Sequence, residues 1–283
     1  IPSDAKAMGK RLFPLLQVAS VASWRLGPYR PRQHLTIQLH DEDPGRSSLR
    51  YDAAINDDSV LLPDPYALGS QGYLIIRQAI IQQPLPPWSK RSPQAFWRGS
   101  STGSKAITIH RMHNNRRINL CRLSRKMPKL LNCYLTDIVQ CRDAKARLEV
   151  LNNLKAEGLL SERYGPLHFG SHKYLIEIDG NVNSWGLLWK LLTGSCILRV
   201  KSTRRQWYHN KLEPYLNIVP IKEDLSDLYE QLSWCHDNTD ECEEIGRRGK
   251  ILAEQVIEDL GPSVLKAIDE HLKYLTTSGI TIV

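Results

Sequence analysis

Residues 173–200 constrain the fold more than any other stretch of the chain. They run Lys-Tyr-Leu-Ile-Glu-Ile-Asp-Gly-Asn-Val-Asn-Ser-Trp-Gly-Leu-Leu-Trp-Lys-Leu-Leu-Thr-Gly-Ser-Cys-Ile-Leu-Arg-Val. Tyr174 to Ile178 is a short apolar run of the kind a strand buried on both faces requires. Asp179-Gly180-Asn181 breaks it, and Asn183 or Ser184 is placed to cap a helix. Trp185, Leu188, Trp189 and Leu192 then recur at helical spacing, Gly194 stops the helix, and a second apolar run follows. Strand, helix and strand in so few residues form a parallel crossover unit. The turn after the first strand leaves backbone N–H groups at a helix start, a seat for an anion such as a diphosphate, and Gly180 lets the backbone approach it. Taken alone, the stretch reads first as an ordinary crossover with a glycine turn.

The rest of the chain extends the alternation. A helix is expected over 5–24, strands at His34–Leu39 and Ser59–Leu62, and a helix from Gly72 to Gln82. The proline-rich segment Gln83–Pro93 is the best linker candidate. It divides residues 1–90 from a second domain, 91–283. Ala95–Arg98 reads as a strand that runs into Gly99-Ser100-Ser101-Thr102-Gly103-Ser104. This small-residue loop offers amide and hydroxyl donors to phosphate, but it lacks the Gly-Lys-Ser/Thr close of a Walker A loop. Helices are expected over 142–158, from Asp224 or Ser226, and over about 240–257 and 263–275, with a strand at Asn217–Ile221. Strands alternating with helices give an α/β fold with mainly parallel sheets, which binds ligands at the carboxyl ends of its strands.

The chain has 283 residues, a hydrophobic content of 41% and a net charge of +8. It is long enough for two medium domains. Its basic balance points to polyanionic or phosphorylated partners. Arg111, Arg116, Arg117, Arg122, Arg125, Lys126 and Lys129 crowd one region, with no nucleic-acid-binding signature beside them. Cys121, Cys133, Cys141, Cys196, Cys235 and Cys242 form no Cys-x-x-Cys pair and no zinc spacing. They read as buried free thiols in a reducing compartment. No run spans a bilayer and no secretory pattern opens the chain. The first residue is Ile1, which leaves a preceding segment open.

Five segments together resemble glycosyltransferase family 90, the protein O-glucosyltransferase and capsule-associated xylosyltransferase family, with a bacterial-type cast. They are Phe96-Trp97-Arg98-Gly99-Ser100, Leu123 to Leu130 (Leu-Ser-Arg-Lys-Met-Pro-Lys-Leu), Lys173-Tyr174-Leu175 with Ile178-Asp179-Gly180-Asn181, Leu192-Thr193-Gly194-Ser195, and Trp207-Tyr208 with Pro220 to Ser226. Order and spacing hold over about 94–250, and the first ninety residues match less clearly. The resemblance implies two Rossmann-like domains facing a cleft (the glycosyltransferase B fold), with C-terminal helices. It also implies inverting transfer from a UDP-sugar, with no metal or other cofactor. Donor contacts fall on Arg98, Gly99, Ser100, Ser101, Thr102 and Arg117, and on Asp179, Gly180, Asn181, Asn183, Ser184 and Trp185. Asp179 is a turn residue that orients its neighbours. The family's arginine after the central loop is replaced here by Gly186-Leu187-Leu188, which leaves Arg117 or Lys201 to supply the cation.

Inverting transfer needs a base for the attacking hydroxyl. The family places an aspartate after an N-domain strand, which makes Asp41 the candidate and Asp43 the alternative. Asp41-Glu42-Asp43 is also an Asp-x-Asp, so a metal-dependent enzyme of the glycosyltransferase A type stays open. So does a non-catalytic protein binding polyanions through the basic tract. The resemblance favours a UDP-sugar donor and a glycan, lipid-linked, lipopolysaccharide, capsule or protein acceptor. It favours no nucleic-acid partner, and a cytoplasmic place with possible peripheral contact at the inner face of a membrane.

Overall fold

A computed structural model describes residues 12–17, 37 and 48–277. By contacts the chain divides into two compact units. One takes 1–75, 203–211 and 254–283, and the other takes 76–202 and 212–253. The sequence draws one boundary near residue 90; the contacts draw it at 75–76 and return two later segments to the first unit.

The second unit is built on a five-stranded sheet. Its strands are β2 (Ala95–Ser100), β3 (Leu131–Asp137), β4 (Tyr174–Glu177), β5 (Cys196–Val200) and β7 (Val219–Ile221), in the order β3-β2-β4-β5-β7. Every neighbouring pair is parallel. The central strands are buried on both faces, which is why Tyr174, Leu175, Ile176, Ile197 and Leu198 form runs without polar alternation. Helices α4 (Arg116–Lys126), α5 (Ala144–Ala156), α6 (Pro166–Phe169) and α7 (Leu187–Leu191) lie in the connections between them, and α8 (Leu228–Asp237) and most of α9 (Thr239–Glu258) follow the last strand. Their apolar faces close the core around Ile118, Leu120, Val150, Leu154, Leu232 and Ile245.

In the first unit residues 12–17 are helical (α1), and Ile37 bridges Leu49. Strand β1 (Ala53–Ala54) pairs antiparallel with β6 (Arg204–Arg205). The pairing is reinforced by ion pairs between Arg204 and Asp52 and between Arg50 and Asp57. Helices α2 (Pro65–Gly69) and α10 (Leu260–Thr277) complete the described part, and α3 (Leu74–Gln82) crosses the boundary. The fold is thus α/β with a parallel sheet and C-terminal helices, as expected.

Several expected elements shift. Ser59–Leu62 runs outside any strand; its Leu62 N–H bonds the Arg50 carbonyl instead. The strand expected at His34–Leu39 lies, Ile37 apart, outside the described residues. Strand β3 was not anticipated, because its apolar residues alternate with Asn132, Tyr134 and Thr136 in a short run after Pro128. The helix expected from the Asn183/Ser184 cap begins only at Leu187 and lasts five residues. Gly194 ends it at a φ of +66°, which glycine adopts without strain.

Candidate functional site

All five strands are parallel, so the segments that leave their carboxyl ends share one edge of the sheet. Two of these segments are the loops singled out from sequence, and they meet. The Gly103 N–H donates to Asn181 Oδ1 at 3.1 Å. A Cβ on Gly180 would stand 2.6 Å from Thr102 Oγ1. Glycine is therefore required at 180 by the neighbouring loop, not by open space for a ligand.

Arg117 locks this junction. It sits in the first turn of α4, whose N-cap Asn115 accepts from the Arg117 and Ile118 N–H groups. The Asn115 amide also donates to the Ser101 carbonyl at 2.7 Å. The guanidinium donates from Nε to the Asp179 carbonyl (3.0 Å) and from Nη2 to the Ile178 carbonyl (2.9 Å). Nη1 serves Thr102 Oγ1 at 2.6 Å and the Ser100 carbonyl at 3.2 Å. Burial lowers its pKa, opposed first by the Glu177 carboxylate. Arg117 is thus a clamp across both loops, with four of its five N–H groups given to protein acceptors.

Arg98 is spent likewise, on another face. It donates to the Trp97 and Asn132 carbonyls, to Asn132 Oδ1 and to Ser161 Oγ. Its guanidinium carbon lies 4.3 Å from the Phe96 ring centroid. Desolvation is the main cause lowering its pKa. Ser101 is fully buried, and its hydroxyl bonds the Val139 backbone. Asp179 accepts the Ser184 N–H at 3.0 Å, the turn role read from sequence. Asn183 is buried, Asn181 exposed, and Gly99, Ser100, Thr102, Gly180, Ser184 and Trp185 are half-buried around the loops. Helix α7, at five residues, contributes little dipole to this edge.

Side-chain cations are present. Arg116, Lys201 and Lys222 line a pocket of about 650 Å³ together with Asn119, Glu223, Asp224 and Leu225. Lys201 follows the last residue of β5, Lys222 the last of β7, and Arg116 opens α4. Arg116 also pairs with Glu223 at 3.1 Å. Lys201 was named from sequence; Arg116 and Lys222 were not assigned to the site, although position one residue beyond a parallel strand marks Lys222. Sequence reasoning also missed the ion pair between Glu177 and Lys190. It is 2.5 Å long and buried at the end of β4, and the second carboxylate oxygen, Oε1, has no partner.

The arrangement gathers three cations and two carboxylates around an open pocket, and the cations are suited to a diphosphate. Asp41 and Asp43 lie outside the described residues. No helix among the described residues is long and apolar enough to cross a membrane.

Comparison with known proteins bears on the same segment. Over 177 residues the chain is 32% identical to uncharacterized protein 179R of Invertebrate iridescent virus 6, covering 57% of this chain and 15% of that protein. It is 27% identical over 173 residues to protein O-glucosyltransferase 3 of Homo sapiens, covering 61% of this chain and 30% of that one. It is 26% identical over 217 residues to protein O-glucosyltransferase 1 of Bos taurus, covering 75% and 50% respectively. The match therefore takes in half or less of each of these relatives. Among solved structures, Anabaena Alr3699/HepE in complex with UDP-glucose aligns at a TM-score of 0.41 and 12% identity, covering 74% of this chain and 53% of that one; a likeness so slight carries no argument. The decisive match is to the family described as Glycosyl transferase family 90. It covers residues 75–260, the greater part of the chain, and takes in both polar loops, the Arg117 clamp and the cationic pocket, so this chain belongs to glycosyl transferase family 90.

Proposed function

We propose that the protein is an inverting glycosyltransferase that moves a hexose or pentose from a UDP-sugar to an acceptor hydroxyl without a metal. The observation that carries the reading is the convergence of Arg116, Lys201 and Lys222 on one pocket at the carboxyl edge of the sheet. Three cations there neutralise a diphosphate in the ground state and stabilise the charge that grows on it as the glycosidic bond breaks. The two loops joined by Arg117 shape the flank of the site. Family membership supports the same reading, and the glycosyltransferase B arrangement of two domains belongs to it.

The acceptor hydroxyl attacks the anomeric carbon from the face opposite the diphosphate, and Asp41, or Asp43 in its place, takes the proton. Glucose and xylose are the sugars proposed. A glycan, lipid-linked, lipopolysaccharide, capsule or protein hydroxyl is the acceptor, with the enzyme in the cytoplasm or at the inner face of a membrane. Within the basic tract Arg117 is turned inward and Arg122 pairs with Glu157, while Arg111, Arg125, Lys126 and Lys129 are exposed.

Titration calorimetry with UDP, UDP-glucose and UDP-xylose tests the proposal. Binding is expected to survive a chelator and to weaken in Lys222→Ala and Lys201→Ala. Binding that disappears on chelation supports the Asp-x-Asp enzyme instead. Tight, salt-sensitive RNA binding with no affinity for UDP supports the polyanion reading.

A further inference from the structure

At the other end of the sheet, three cysteines that no sequence spacing links come together. Cys196 is the first residue of β5, paired with Tyr174 at the start of β4, so it lies at the amino edge, away from the cationic pocket. Cys235 is on α8 and Cys242 on α9. All three are completely buried, and their Sγ atoms lie within 4.8 Å of one another. Among the described residues this is the one cluster of potential metal ligands with such geometry.

We propose that Cys196, Cys235 and Cys242 bind a single thiophilic d10 cation, zinc or copper(I), that pins β5 to α8 and α9. Metal–sulfur bonds of about 2.3 Å place three thiolates roughly 3.8–4.0 Å apart, so the site closes with sub-ångström shifts. Thiolates select these ions over oxygen-loving cations such as magnesium or calcium. Binding exchanges three thiol protons for the metal and releases them to solvent, leaving a net negative group with either ion, more so with copper(I). Positive charge is at hand: the Lys173 ammonium lies over the Trp88 ring, bonds Thr239 Oγ1 at 3.3 Å and acts electrostatically on Cys242. No sequence motif marks the site because its three ligands come from three elements, with Cys235 standing 39 positions after Cys196.

Metal analysis of the full chain, purified under reducing conditions without a metal column, tests the site. One zinc or copper per chain is expected, and the element found identifies the ion. Cobalt(II) added to chelator-stripped protein should develop thiolate charge-transfer absorption that saturates at one equivalent. The band should vanish in Cys235→Ser and Cys242→Ser and persist in Cys133→Ser, a buried cysteine outside the cluster. The cobalt titration needs no variant, so a variant that fails to fold leaves the test intact. Substoichiometric metal with no charge-transfer band overturns the proposal in favour of packed free thiols. A disulfide between any two of the three, found by mass spectrometry after blocking free thiols, overturns it as well. UDP calorimetry on the same preparation is an independent readout, so failure here is distinguishable from failure of the transferase proposal.

Discussion

Two arginines on the same helix, five residues apart, do different work. Arg117 serves four acceptors in two loops, whereas Arg122 makes a partly exposed bidentate pair with Glu157 at 2.7 and 2.8 Å. Arg117→Ala is expected to cost roughly 1.5–3 kcal/mol of stability, the range for hydrogen bonds from a charged donor, and to weaken UDP binding as the loops loosen. Arg122→Ala should cost about 1 kcal/mol or less and leave UDP binding unchanged. Denaturant midpoints and calorimetry on both variants check this; Arg117→Lys should not rescue, since one ammonium cannot replace a planar fork. Equal UDP defects in both would remove Arg117 from the site. For the base, Asp41→Asn is expected to lower sugar transfer roughly 10²–10⁴-fold with UDP affinity nearly intact, and Asp43→Asn to be much milder; if Asp43→Asn is the dead variant, the base is two residues further on. Residue types at the site were legible because they fall in the segments that resemble the family. Their orientation was not. Arg98 and Arg117 look like free phosphate ligands in sequence, and only the backbone carbonyls around them show where their protons go.

Loops and strands show the same division. The β4–α7–β5 unit could be read because buried parallel strands are continuous apolar runs and Gly194 marks a stop. The start of α7 could not, since Asp179 accepts the Ser184 N–H and the chain turns tightly until Gly186. That tight turn against the neighbouring loop makes Gly180 sensitive. Gly180→Ala places a methyl group 2.6 Å from Thr102 Oγ1, an overpacking expected to cost about 1–3 kcal/mol and to weaken UDP binding. Thr102→Ala in the same chain should recover part of the stability. Thermal melts of the single and double variants check this, and additive losses would show that the two loops do not press on each other.

At the scale of the whole molecule, stability should carry a pH signature from the first unit. Asp64 caps α2 by accepting the Tyr66 and Ala67 N–H groups on Oδ1, each at 2.8 Å, while buried Oδ2 has no partner. Burial raises its pKa from 3.8 to about 7. Between those values the folded chain holds a proton that the unfolded chain has released, so the Asp64 contribution to stability falls as pH rises through that window and levels off above it, while His172, whose pKa burial lowers to about 4, contributes the opposite slope. Asp64→Asn keeps the cap and should flatten the slope between pH 4 and 7. Denaturant titrations across that range check it, and an unchanged slope would show that Asp64 is ionised in the fold. The division into units, finally, has a consequence for the order in which the molecule is made. The second unit is complete once residue 253 has been synthesised, but the first, begun at the start of the chain, needs 254–283. The sheet-bearing unit can therefore form from a purified chain that lacks 254–283, whereas the first unit cannot be completed from it. Variants truncated after residue 253 should keep a protease-resistant sheet while the first unit is lost, and no single cut in the chain yields both units whole.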